Sequence, residues 1–157
     1  MDNQHLLGEI ISWDFQSTEI SIAQVRQALS AAGLDPDMAK DLNNRSAFSR
    51  ATKHLKENRS IDKFKQDKDG LVTFQLTRKE AREDHIEFDL EAMVTLDTKN
   101  GDITSDDPVI EHKARELFAH AMQVRTSSDI TRMIQKLFRD NADLFPINRK
   151  GVAYFVP

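Results

Sequence analysis

The segment HIEFDLEAMVTLD, residues 85–97, constrains the fold more than any other part of the sequence. Apolar residues occupy every second position from Ile86 to Leu96, and carboxylates occupy the positions between them as far as Glu91. Because side chains of a β-strand alternate between two faces, this pattern predicts a long antiparallel strand with one buried and one wet face. Asn100-Gly101 predicts a hairpin turn directly afterwards.

Helical spacing of apolar residues dominates the flanking segments. It predicts helices over about 22–32, from Pro36 to about 42, from Arg45 or Ser46 to about 58, from Pro108 to about 124, and after Ser127 or Ser128. Ser21 or Ser17 is expected to cap the first helix, Gly33 to end it, and Asp35 to cap the second. Short strands are predicted at 61–66 and 71–77, around a turn at 67–70, and at the end of the chain. The fold class is therefore α+β.

Composition excludes several classes of protein. With no Cys among 157 residues, the chain has neither a disulfide framework nor a thiolate metal site, and this fits a cytoplasmic protein. Its start lacks the charge and apolar length of a signal peptide or membrane span. A net charge of -4 argues against indiscriminate coating of nucleic acid, which needs broad neutralisation of phosphates. Positive charge is instead concentrated in RSAFSRATKHLKENRSIDKFK, residues 45–65.

The helix predicted in this basic segment has two distinct sides. At 100° per residue, its apolar side is formed by Ala47, Phe48, Ala51 and Leu55. The opposite side carries Arg45, Ser49, Thr52, Lys53, Lys56 and Arg59. A DNA-recognition helix needs this division, because one side must dock on the protein while the other offers cations to phosphates and polar groups to base edges. An ordinary solvated helix is the alternative.

The order of these elements resembles a winged helix-turn-helix domain over residues 20–77, from SIAQVRQALSAAGL through RSAFSRATKHLKEN to IDKFKQDKDGLVTFQL. The resemblance implies that the third helix reads DNA and that the hairpin forms a wing on the DNA backbone. The residues so implied are Arg45, Ser49, Arg50, Thr52, Lys53 and Lys56 on the helix, with Lys65 and Lys68 on the wing. We therefore expect a winged-helix-like unit at 1–80, and a β-hairpin followed by a helical and hairpin unit at 81–157, packed together as one body.

Two further features bear on this interpretation. KDGLVTFQL and RKGVAYFVP align without a gap, so the second half of the chain is either a degenerate copy of the first or an unrelated helix and hairpin. GVAYFVP together with RSAFSRA also resembles uncharacterised proteins encoded by phages and bacterial mobile elements. A second basic ridge, either a nucleic-acid surface or a solvated face, is predicted at Arg132, Lys136, Arg139, Arg149 and Lys150.

The sequence favours a DNA-binding protein without catalytic activity, cofactor or metal. The alternative is a protein-interaction or assembly module, including a homo-oligomer, on the same scaffold. A nuclease is a third hypothesis, because Asp97-Thr-Lys99 follows Asp89 and Glu91 on one strand and carboxylates of this kind hold Mg²⁺. Turn chemistry explains Asp97-Thr-Lys-Asn-Gly equally well.

Overall fold

A computed structural model describes residues 8–16, 18–56, 59–66, 69–81, 84, 86–141, 145–147 and 153–156, with the backbone alone for residues 63–66, 79 and 81. The fold is mixed α+β, as predicted. The strands are β1 (Glu9–Ser12), β2 (Glu19–Ser21), β3 (Arg59–Gln66), β4 (Leu71–Ala81), β5 (Ile86–Asp97), β6 (Ile103–Ser105), β7 (Val124–Thr126), β8 (Phe145–Pro146) and β9 (Ala153–Val156). The helices are α1 (Ile22–Ala31), a 3-10 turn (Pro36–Met38), α2 (Asn44–His54), α3 (Pro108–Gln123) and α4 (Ser127–Asn141).

The chain divides into two compact units. The terminal unit joins residues 1–39 to residues 124–157, and the central unit is formed by residues 40–123. The boundary predicted at residue 80 lies inside β4, which pairs with β5 as far as Ala81, so the chain does not divide there. The predicted winged-helix segment is also shared, with α1 in the terminal unit and α2 and the β3–β4 hairpin in the central unit. The winged-helix interpretation stays a prediction.

The central unit is built on a four-stranded antiparallel sheet in the order β3-β4-β5-β6. Helix α2 packs beside α3 and, through Phe48 and Leu55, joins the same buried core as the sheet. The predicted apolar side of α2 is confirmed, because each of its four residues is 0% exposed. The remaining core residues are Val72, Leu76, Ala92, Val94, Leu96, Ile103, Ile110 and Ala114.

Both ends of α2 are fixed by polar contacts. At its start, the Asn43 side chain accepts a hydrogen bond of 2.8 Å from the Ser46 amide, and the Asn44 side chain donates one of 3.0 Å to the carbonyl of Thr98. The helix was predicted to run to about residue 58 but ends at His54, because the chain must turn to enter β3 at Arg59. The guanidinium of Arg59 lies 3.5 Å from the carbonyl oxygen of Leu55, the C-cap residue that follows the helix.

The long alternating strand is confirmed as β5, but its apolar residues do not all face the core. Leu76 pairs with Ala92 while Thr77 pairs with Leu90, so Glu91 is an extra residue, a β-bulge. Beyond the bulge, Leu90 shares the sheet face of Thr77 rather than that of Leu76, because cross-strand partners lie on the same face. Ile86, Phe88 and Leu90 are accordingly 60%, 56% and 54% exposed. The prediction of one buried face is therefore wrong for this half of the strand.

The terminal unit holds a smaller core. Ser21 caps α1 through a reciprocal pair of contacts with Gln24, and Gly33 ends it at a φ of 71°, as predicted. Val25 and Leu29 are buried there. A three-stranded sheet in the order β1-β9-β8 supports Trp13, whose ring stacks on Tyr154 at 4.9 Å and on Phe138 at 6.0 Å.

The two segments proposed as copies differ in their surroundings. In the central unit β4 has eleven residues and lies between β3 and β5, whereas in the terminal unit β9 has four and lies between β1 and β8. The residues that the two segments have in common therefore occur in sheets that differ in strand length and strand order. Among the helices of the described residues, none has the length and apolar character needed to cross a membrane.

Candidate nucleic-acid interface

The exposed side of α2 borders an open groove of about 360 Å³ in the central unit. One wall is the second half of α2 with the residues after it, and the other is the start of β3 with Phe74 of β4. The lining residues are Ser49, Thr52, Lys53, Lys56, Ser60, Ile61, Asp62 and Phe74. Lys53 and Lys56 are exposed, and neither makes an ion pair within the described part of the chain. Two cations therefore stand beside the Ser49 and Ser60 hydroxyls.

Thr52 was predicted to lie on the side of α2 that reads DNA, but its side chain is buried in the structure. Its side chain is 2% exposed and its hydroxyl donates a hydrogen bond of 3.2 Å to the carbonyl of Ser49, one turn earlier. Thr52 lies only one position, or 100°, from the buried Ala51, and the apolar side of α2 is wide enough to include it. A side chain in this position cannot reach a base edge.

Arg59 forms an ion pair within the protein. Its Nε and Nη2 atoms donate to the two carboxylate oxygens of Glu91 at 2.6 and 2.7 Å, and both side chains are about 15% exposed. Arg78 approaches the same carboxylate at 3.4 Å. The hydrogen bonds from Arg59 are the main reason that the pKa of Glu91 is lowered. A guanidinium held in this bidentate pair is not free for phosphate, so the prediction that Arg59 contacts DNA is not supported.

The other predicted residues are dispersed. Arg45 is exposed but lies at the opposite end of α2 from Lys53, where it lines a separate hollow of about 260 Å³ with Asn43 and Gly70. Eight residues separate Arg45 from Lys53, or roughly 12 Å along the helix axis. Ser49 and Arg50 are half-buried. Lys65 belongs to β3, where the backbone alone is described, and Lys68 lies outside the described residues.

The second basic ridge is partly neutralised by acidic neighbours on α4. Arg132 lies 4.0 Å from Asp129, and Lys136 forms a close ion pair with Asp140 one turn later. Arg139 is exposed, while Arg149 and Lys150 lie outside the described residues. Surface ion pairs of this kind lower the local positive field. We therefore expect α4 to attract a polyanion less strongly than α2 does.

The acidic segment that suggested a nuclease forms a turn. The Asp97 carboxylate accepts a hydrogen bond of 2.8 Å from the Lys99 amide, and the Asp97 amide donates to the carbonyl of Asp102 at 2.8 Å. Gly101 is the last residue of the four-residue loop between Asp97 and Asp102, and its φ of 82° is one that glycine adopts readily. In the described ranges, no group of three His, Asp or Glu side chains is placed to hold a metal ion.

Sequence reasoning missed three residues that shape this site. Ser60 and Asp62 line the groove from β3, and Glu91 holds Arg59 from β5. Ser60 and Asp62 could have been paired with α2 only by knowing that β3 folds back beside it. The pairing of Arg59 with Glu91, 32 residues apart, depends on the register of two strands and has no local signal.

Comparisons with known proteins identify a family. No curated protein and no solved structure matches the chain. The model of a family of unknown function, DUF6744, matches residues 6–157, which is nearly the whole sequence. The chain therefore belongs to the DUF6744 family.

Proposed function

We propose that this protein binds DNA without catalysing a reaction, and that the groove between α2 and β3 is its contact surface. The observation that carries the proposal is the pair of exposed ammonium groups, Lys53 and Lys56, on one rim of a groove that also offers two hydroxyls. Phosphate oxygens are bound by such cations and hydroxyls in most protein–DNA interfaces. A DNA ligand also agrees with the expected cytoplasmic location and with the resemblance to proteins of phages and mobile elements, which stay predictions.

Replacing both lysines tests the proposal. We expect Lys53→Ala with Lys56→Ala to weaken binding to a labelled DNA duplex by at least about tenfold at low ionic strength, since two phosphate contacts are lost. Fluorescence anisotropy measures the affinity, and far-UV circular dichroism confirms that the variant is folded. Both lysines are exposed, so their loss should leave stability nearly unchanged.

A matched control removes one charge elsewhere in the central unit. Lys99→Ala takes an exposed cation from a position outside the groove. This variant should bind DNA nearly as well as the wild type, whereas Lys53→Ala and Lys56→Ala should each bind more weakly. The proposal fails if the wild type gives no anisotropy change at low salt, or if Lys99→Ala loses as much affinity as the single groove variants.

A protein-interaction module is the second candidate, and the exposed row of Ile86, Phe88 and Leu90 on β5 favours it. Contiguous exposed apolar residues of this size are typical of contact surfaces. A second copy is the simplest partner, since two such rows can face each other about a two-fold axis. We expect sedimentation velocity to show dimer at high protein concentration, and Phe88→Ser to remain monomeric. A wild type that stays monomeric at every concentration contradicts self-association through this row.

A further inference from the structure

We propose that the groove between α2 and β3 takes the phosphodiester backbone of the nucleic acid and makes no base contacts, so that binding is independent of base sequence. This inference rests on the proposed function and narrows it from DNA recognition to backbone recognition. The inference depends on which polar side chains that line the groove already make hydrogen bonds within the protein.

Two of the groups predicted to read bases are occupied. Arginine reads guanine by donating two parallel hydrogen bonds, and Arg59 gives that pair of bonds to Glu91 at 2.6 and 2.7 Å. The Thr52 hydroxyl is buried and donates to the carbonyl of Ser49. The described lining of the groove contains no Asn, Gln or Arg, the side chains that make bidentate contacts with purines.

The groups that remain are those that bind phosphate. Lys53 and Lys56 carry compact charges on flexible stems, which attract any phosphate and do not distinguish between bases. Ser49 and Ser60 can donate hydrogen bonds to phosphate oxygens from the two walls. The Phe74 ring packs edge-on against Phe48 at 5.5 Å, so the aromatic residue of the groove serves the core and is not a free platform for base stacking.

The number of available cations sets the salt dependence. Each neutralised phosphate adds about 0.9 to the slope of log affinity against log salt concentration. Removing Lys53 and Lys56 together should therefore reduce that slope by about 1.8. The same reduction is expected on every duplex, whatever its sequence.

Asp62 supplies a second test, because its carboxylate lines the groove and repels phosphate. Asp62→Asn should tighten binding by about twofold to fivefold, the range expected for one exposed charge interaction. A gain of affinity cannot come from loss of folding. Asp102→Asn is the matched control, since it removes the same charge from the β5–β6 turn, beside Asn44 at the other end of α2. Asn44 is roughly 13 Å from Lys53 along the helix axis, which is beyond the screening length of about 8–10 Å.

The experiment measures the affinity of the full chain for duplexes of equal length and different sequence, at several salt concentrations. We expect affinities that agree within about fivefold, since one bidentate base contact alone changes affinity by about that much or more. A preference of tenfold or more for one sequence overturns the inference but leaves DNA binding intact. Unchanged affinity of Asp62→Asn also overturns it, because the backbone would then lie elsewhere. Absence of binding to every duplex ends the proposed function itself.

Discussion

Replacing Phe48 with alanine is expected to lower the free energy of unfolding of the central unit by about 3–5 kcal/mol. Phe48 is fully buried and packs edge-on against Phe74 of β4. It is the largest side chain that joins α2 to the sheet, and its removal leaves a cavity that Ala47 and Ala51 are too short to fill. Loss of this contact should also release the wall of the groove that carries Lys53, so DNA binding should weaken with stability.

The two units must be followed separately in this measurement. Trp13 and Tyr154 are the only Trp and Tyr of the chain, and both lie in the terminal unit. Intrinsic fluorescence therefore reports that unit, whereas amide hydrogen exchange resolves the central unit directly. We expect faster exchange in α2 and β4 of the variant. Phe88→Ala is the control, because Phe88 is 56% exposed and its loss should cost less than about 1 kcal/mol. Equal effects of the two substitutions would contradict the packing described above.

Local patterns in the sequence were sufficient to predict the features that depend on contacts between nearby residues. The helix cap at Ser21 and the turn at Asn100-Gly101 depend on contacts within a few residues, and both were predicted correctly. Asp35 is also a cap, as predicted, but the helix expected from Pro36 to about residue 42 is wrong, because only a 3-10 turn forms at Pro36–Met38. The buried side of α2 follows from helical geometry alone, because any partner would bury the same four residues.

Contacts between distant segments could not be predicted in the same way. The alternation in β5 suggested one continuous buried face, but a single extra residue at Glu91 transferred Ile86, Phe88 and Leu90 to the other face. The division of the chain was missed because the terminal unit is assembled from residues more than 80 positions apart. Positive charge in α2 was visible, but the carboxylate that neutralises Arg59 lies on another strand.

The pair formed by Arg59 and Glu91 leads to the prediction with the second largest effect. Glu91→Gln keeps the size of the side chain but removes the charge that holds a nearly buried guanidinium, and we expect a loss of about 2–3 kcal/mol at neutral pH. The bulge of β5 and the end of α2 should loosen together, since Arg59 also approaches the carbonyl of Leu55. Chemical denaturation followed by circular dichroism measures the loss, and Asp89→Asn, which neutralises an exposed carboxylate on the same strand, is the control.

The pH dependence of this difference has a definite sign. Because Arg59 lowers the pKa of Glu91 in the folded protein, the pair contributes fully above the ordinary pKa of a glutamate, about 4.3, and less as the carboxylate takes up a proton at lower pH. The stability gap between the wild type and Glu91→Gln should thus be largest near neutral pH and narrow below about pH 4. A gap that is constant across this range would mean that the charge of Glu91 is not what holds Arg59.

The same substitution also distinguishes an effect on protein stability from an effect on DNA binding. Glu91→Gln removes a negative charge beside Arg59, which adjoins Ser60 on the wall of the groove, so DNA affinity at low salt should rise while stability falls. Simple damage to the fold would lower both quantities. Opposite changes would indicate that the carboxylate of Glu91 weakens DNA binding by reducing the positive charge beside the groove. A parallel fall in stability and affinity would instead mean that the pair serves DNA binding only by keeping α2 in place.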